Sequence, residues 1–195
     1  MAVKLDAERR RLWLDIAQVW TGATLANILL YFFQIVVGRG LGPQDYSLFG
    51  ALLGMVYLAS AASNAINASV ADVVARQKAN GDADAGSAAG SALLQMMALG
   101  GVLFALTCLA SPLLGAYVHS DSLTPVMLTN ALLLTALIVP VTQGALLGEQ
   151  RFGWYSAGQI LSSSSRLLLG VGALALGLGI SGVMGAAIVS VLATF

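Results

Sequence analysis

Charge is scarce in this chain. Only 9% of its 195 residues are Asp, Glu, Lys or Arg, against about 25% in an ordinary soluble domain. Nine basic and nine acidic residues are too few to coat a folded surface of this size in water. That excludes a soluble globular domain, and the 58% hydrophobic content excludes a disordered chain. The net charge is zero, so no general attraction to nucleic acid is expected. Cysteine is almost absent. Cys108 alone allows no internal disulfide and no cysteine-rich metal site.

What is present is apolar and long. The mean hydropathy of +0.85 points to an all-α polytopic membrane protein. A bilayer core about 30 Å thick needs about 20 apolar residues per helix. Five segments meet that length, at 16–37, 46–74, 88–110, 125–147 and 155–176. A sixth covers 182–195 and is too short to span, so a truncated sixth helix is expected. Residues 1–15 read as a cytoplasmic tail or interfacial lead-in. The apolar run behind Lys4, Arg9, Arg10 and Arg11 is too long for a secretory signal.

Polar turns separate the segments. Gly38, Gly40, Gly42 and Pro43 form the first, residues 75–87 the second, and Ser111, Pro112, His119, Ser120 and Asp121 fall in the third. Residues 148–153 form the fourth, and Gly177, Gly179 and Gly182 the fifth. Basic residues set the orientation. Lys4, Arg9, Arg10, Arg11, Arg76, Lys78 and Arg151 fall on one side and Arg39 on the other, which places the N-terminus in the cytoplasm. Trp13, Trp154 and Tyr155 then lie near one interface, Tyr46 and Tyr117 near the other. Asp72 and Arg76 are spaced for an i, i+4 ion pair. Gly50 with Gly54, and Gly86 with Gly90, are spaced for close helix approach.

The polar residues inside these segments are the candidate site. The first helix carries Trp20, Thr24, Asn27, Tyr31 and Gln34 on one face. The second carries Tyr57, Ser60, Asn64 and Asn67. The fourth has Asn130, Pro140, Thr142 and Gln143, and the fifth has Tyr155, Gln159, Ser162, Ser163 and Arg166. Such amides and hydroxyls either bond between helices, each such bond averaging about 0.6 kcal/mol, or line a water-filled cavity.

Arg166 is the sharpest signal. It lies 11 residues past Tyr155, about 16 Å along a helix, near mid-membrane. A cation there costs at least about 2.5–3.5 kcal/mol. No acidic residue of this chain lies at that depth. Three environments satisfy it: a cavity where it attracts an anion, carbonyl oxygens or the headgroups, or a carboxylate from sequence outside this chain. The cavity reading makes Arg166 the first anion contact, with Asn27, Gln34, Asn64, Asn67 and Gln159 around it. Pro140 interrupts the fourth helix and is a candidate kink or hinge.

Several signals carry no chemistry. Residues 177–182 match G-x-G-x-x-G, but no strand precedes them. Asn67-Ala-Ser69 is a glycosylation sequon inside a membrane helix. His119 with Asp121 gives too few ligands for a metal. No nucleophile–base set can be assembled, so neither enzyme activity nor a cofactor is expected.

Two stretches resemble a known family. Gly40-Leu-Gly-Pro-Gln-Asp-Tyr46 is similar to the L-G-P-x-x-Y-G signature of polysaccharide flippases. These belong to the multidrug/oligosaccharidyl-lipid/polysaccharide (MOP) exporter superfamily. Residues 143–152, ending Gly148-Glu-Gln-Arg-Phe152, look like the family's G-x-x-R-F stretch, and Arg166 followed by Leu-Leu-Leu-Gly, then Gly179, Gly182 and Gly185, resembles its fifth and sixth helices. The likeness covers residues 20–195.

Ser47 departs from the usual glycine. Phe33-Gln34 stands where lipid II flippases tend to carry Arg-Asp, and the first helix lacks the mid-membrane carboxylate common in cation-coupled multidrug exporters. Both absences favour the oligosaccharide branch. The resemblance implies the six-helix N-terminal lobe of a 12–14-helix transporter, with a central cavity between two lobes. It implies a bacterial cytoplasmic membrane location and a second six-helix lobe as partner. The substrate implied is lipid-linked oligosaccharide of the undecaprenyl-pyrophosphate type, flipped by alternating access. Two other functions stay open: a cation-coupled drug exporter of the same superfamily, and a non-transporting scaffold of a polysaccharide-synthesis complex, which would be a closed, dry bundle.

Overall fold

The computed structural model describes residues 2–80, 85–109 and 124–193. Six helices follow in order: α1 Ala2–Gly40, α2 Pro43–Asn80, α3 Ala85–Leu109, α4 Thr124–Gly148, α5 Phe152–Ala175 and α6 Gly179–Leu192. No strand occurs among the described residues.

The helices outrun the expected segments. Residues 2–15 are helical and continuous with the first apolar segment in α1, whose candidate span begins at Trp13. α2 continues through the polar residues as far as Asn80, where Lys78, Gln77 and Arg76 are good helix formers. Arg76 and Asp72 form the expected ion pair at 2.9 Å on its exposed face. Residues 81–84 and the third connection, with His119, Asp121 and Tyr117, lie outside the described residues. Gly182 belongs to α6 rather than to the turn before it.

Three helices are long and apolar enough to cross a membrane: Trp13–Gly40, Pro43–Ala79 and Thr124–Gly148. α5 has the length, at 24 residues, or about 36 Å. Its Gln159, four successive serines and Arg166 lower its hydropathy below that of the other three. α3 has a shorter apolar stretch, Met97–Leu109, and α6 is another, Gly179–Leu192.

Two turns have the same construction. At the end of α4, Arg151 N–H bonds Leu146 O at 2.8 Å and Gln150 N–H bonds Leu147 O at 3.0 Å. At the end of α5, Leu178 N–H bonds Ala173 O and Gly177 N–H bonds Leu174 O, both at 3.0 Å. Each is a Schellman cap with a left-handed residue at its corner. Gly177 takes φ 70° without strain, whereas Gln150 takes φ 62° with a side chain attached.

The bundle is built from two helix pairs. α1 runs along α5, and α2 runs along α4. α3 covers α4 and α2, while α6 packs on both α5 and α4. The α2–α4 seam is close because of Gly144 and Gly148. A methyl group on Gly144 would meet Asn67 O at 2.6 Å, and one on Gly148 would meet Ala71 O at 2.7 Å. Of the glycines expected from sequence spacing, Gly50, Gly54 and Gly90 face open space, and the surroundings of Gly86 lie outside the described residues. In the α1–α5 seam, Gly22 lies against Ser156, whose hydroxyl donates to Gln18 O at 3.0 Å.

The main apolar core lies at the α1–α2-turn end. Phe33, Val37, Phe49, Leu52, Leu132, Val183 and Met184 meet there, so α1, α2, α4 and α6 are joined. At the opposite end a smaller cluster, Val70, Val74 and Val141, joins α2 to α4 alone.

Candidate substrate cavity

Between the two helix pairs lies a cavity of about 570 Å³, within the range of small-molecule sites. α1 contributes Asn27, Tyr31 and Gln34, and α2 contributes Tyr57, Ser63, Asn64 and Asn67. Thr135, Pro140 and Gln143 come from α4, and Arg166 from α5. Five of the six residues singled out from sequence therefore share one space. It lies inside this single six-helix bundle, walled by its own helices. It is open on one side, where Tyr31 and Tyr57 are exposed.

Gln159 is the exception. It precedes Arg166 by two turns of α5 and is absent from the lining. Its side chain is within hydrogen-bonding reach of Tyr155 instead.

Arg166 is half-buried. Its Nε is buried and has no hydrogen-bond partner. The lining contains no other formally charged side chain and no carboxylate. The site is thus one guanidinium among neutral amides and hydroxyls. Such a guanidinium holds carboxylate or phosphate oxygens with two parallel bonds. The surrounding amides can donate to and accept from hydroxyls.

Two bonds shape the walls. Gln34 Nε2 donates to Tyr57 Oη at 3.3 Å, linking α1 to α2. Ser63 Oγ donates to the carbonyl of Ala136 on α4. That carbonyl is four residues before Pro140, whose nitrogen has no proton to give it. The serine of a neighbouring helix supplies the missing donor, as membrane helices with internal proline require. α4 accordingly runs unbroken through Pro140.

Sequence reasoning placed Tyr31 and Tyr57 on the polar faces but did not rank them. Ser63 and Thr135 went unremarked. The signal for Ser63 was indirect, a proline on another helix whose orphaned carbonyl needed a donor.

A second cavity of about 620 Å³ opens between α4 and α5 near the turn that joins them, with Arg151, Trp154, Tyr155 and Leu146 in its wall. It shares Val139, Gln143 and Val191 with the first. No group of three potential metal ligands occurs among the described residues.

No protein-family profile matches the chain, and no curated protein does. Solved structures do. A MATE transporter in complex with MaD3S superposes with a TM-score of 0.79 at 20% identity, covering 93% of this chain and 42% of that one. A MOP-superfamily transporter from Pyrococcus furiosus Vc1 (DSM3638) superposes with a TM-score of 0.77 at 21% identity, covering 93% of this chain and 41% of that one. The fold is similar to that of part of these transporters. A multidrug resistance MATE transporter in its outward-facing conformation gives a TM-score of 0.74 at 21% identity, over 93% of this chain and 42% of that one. The chain thus spans about two fifths of the length of the transporters it matches. At such identity the likeness concerns the fold alone, a multi-pass helical bundle.

Proposed function

We propose that this chain is the N-terminal lobe of a flippase that moves lipid-linked oligosaccharide of the undecaprenyl-pyrophosphate type across a bacterial cytoplasmic membrane. One observation carries the reading. The buried Nε of Arg166 has no partner and borders a cavity that holds no carboxylate. A diphosphate headgroup supplies the anion that this site lacks. Asn27, Asn64, Asn67 and Gln143 then meet sugar hydroxyls, while the lipid tail stays in the bilayer.

A second six-helix lobe completes the translocation path, and the two rock between inward and outward states. The N-terminus is cytoplasmic in this reading, because seven basic residues cluster on that side. The cavity favours transport over a dry scaffold bundle.

A drug exporter of the same superfamily is the second reading, supported by the multidrug transporter among the structural neighbours. The Pyrococcus furiosus transporter was described as having a binding pocket of reverse polarity that suggests a different function. Pocket polarity is thus a reasonable discriminator in this fold, and a lone arginine disfavours cationic drugs. Arg166→Ala is expected to abolish export of lipid-linked glycan, measured by surface glycan, while the protein accumulates normally in the membrane. Normal flipping by that variant would refute the assignment. Cation-driven dye efflux that survives Arg166→Ala would favour the drug exporter.

A further inference from the structure

Besides Phe33, two tyrosine rings line the cavity, and the anion site does not use them. Tyr31 on α1 is 66% exposed and Tyr57 on α2 is 62% exposed, yet both line the cavity that holds Arg166. Both lie well inside apolar spans, Trp13–Gly40 and Pro43–Ala79. An exposed phenol at that depth is poorly matched to hydrocarbon, so its natural neighbours are water or a ligand. The Tyr57 hydroxyl accepts from Gln34 Nε2 at 3.3 Å, which tethers the end of a ring that is otherwise largely exposed. Tyr31 sits one turn before Gln34 on the same face of α1. The ring contacts of the described residues pair Tyr31 with Phe32, Phe33 with Phe49 and Tyr46 with Phe49, so Tyr31 and Tyr57 do not stack on each other.

We propose that Tyr31 and Tyr57 form a ring-stacking subsite for the first pyranose of a diphosphate-linked sugar whose phosphates rest on Arg166; this rests on the flippase reading above. A pyranose has a flat face of C–H groups and an edge of hydroxyls. The C–H face suits an aromatic ring with a negative π surface. The hydroxyl edge suits the amides of Asn64 and Asn67 along the same wall. A flat cationic drug would also suit the rings, but it would sit in the same cavity as an uncompensated guanidinium. The pairing of two neutral rings with one cation therefore selects a ligand that is anionic at one end and ring-shaped at the next.

The test compares two probes on the full chain in lipid nanodiscs. One is farnesyl diphosphate; the other is farnesyl diphosphate bearing one N-acetylglucosamine. Tyr57→Ala and Tyr31→Ala should each weaken the glycosylated probe by about five- to tenfold and leave the bare diphosphate within about twofold. Tyr57→Phe keeps the ring and should retain most of the affinity. Arg166→Gln should weaken both probes alike.

Equal loss of both probes in the alanine variants would overturn the subsite, as would no loss of either. So would a Tyr57→Phe variant as weak as Tyr57→Ala, because the hydroxyl rather than the ring face would then be responsible. If the unaltered protein binds neither probe, the anion reading of Arg166 fails and the subsite falls with it. If it binds both equally well and only Arg166→Gln matters, the anion site stands and the subsite alone is wrong.

Discussion

The two ends of the bundle are held in different ways. At the α1–α2-turn end, Phe33, Phe49, Leu132 and Met184 interlock across four helices. At the other end the apolar cluster is confined to α2 and α4. There Ser156 ties α5 to Gln18 on α1. One cross-tie remains: Lys78 Nζ donates to Glu149 O at 2.6 Å, linking α2 to the α4–α5 turn. The contrast shows how a small helical lobe keeps a cavity. It concentrates packing between pairs at one end and packing within pairs along the rest.

Substitutions at the two ends should therefore differ in kind. Phe49→Ala removes a fully buried ring from the shared core and should cost about 3 kcal/mol. Thermal unfolding in detergent should show both helix pairs loosening together. Gly148→Val sets a branched side chain against Ala71 O and Val74, for about 2–3 kcal/mol. Cysteine cross-linking should show α2 parting from α4 while α1 and α5 stay together. Were the loss to spread evenly across all helices, the two-pair description would be wrong.

Ser63→Ala strands the Ala136 carbonyl beside Pro140 and should cost about 1–2 kcal/mol, read as a lower melting temperature. Ser63→Thr should restore part of it. Gln150→Gly should do the opposite. It relieves a side chain at φ 62° and should raise stability by about 1 kcal/mol. Lys78→Ala should have the smallest effect, under about 1 kcal/mol, because the tie is solvent-exposed. A larger drop than for Ser63→Ala would mean that the far end depends on this one cross-tie.

Much of the fold was legible in the sequence because length and hydropathy alone mark helices in lipid. The faces of α1 and α2 followed from the helical period, and Arg166 stood out by depth. What could not be read was partnership. Nothing in the spacing of Gly144 and Gly148 says that they meet α2, and Gly148 reads as the first residue of a turn. Gly50 and Gly54 carried the same spacing and meet nothing. The turn at 148–153 could be read, but not its left-handed corner at Gln150, a residue rarely chosen for that conformation. Gln159 was misplaced because a shared face two turns away does not guarantee a shared cavity. Periodicity alone does not say whether a polar face turns toward another lobe or toward a helix of the same bundle.

The serine that serves the proline-freed carbonyl carries a mechanical consequence. Losing the Ser63 donor strands the Ala136 carbonyl at the cavity wall, at about 1–2 kcal/mol. Sliding α2 along α4 by one helical step would carry Ser63 away from Ala136 and incur that penalty at once. The contact behaves as a pawl on a ratchet: it tolerates swinging of the pair as a unit and resists slippage within it.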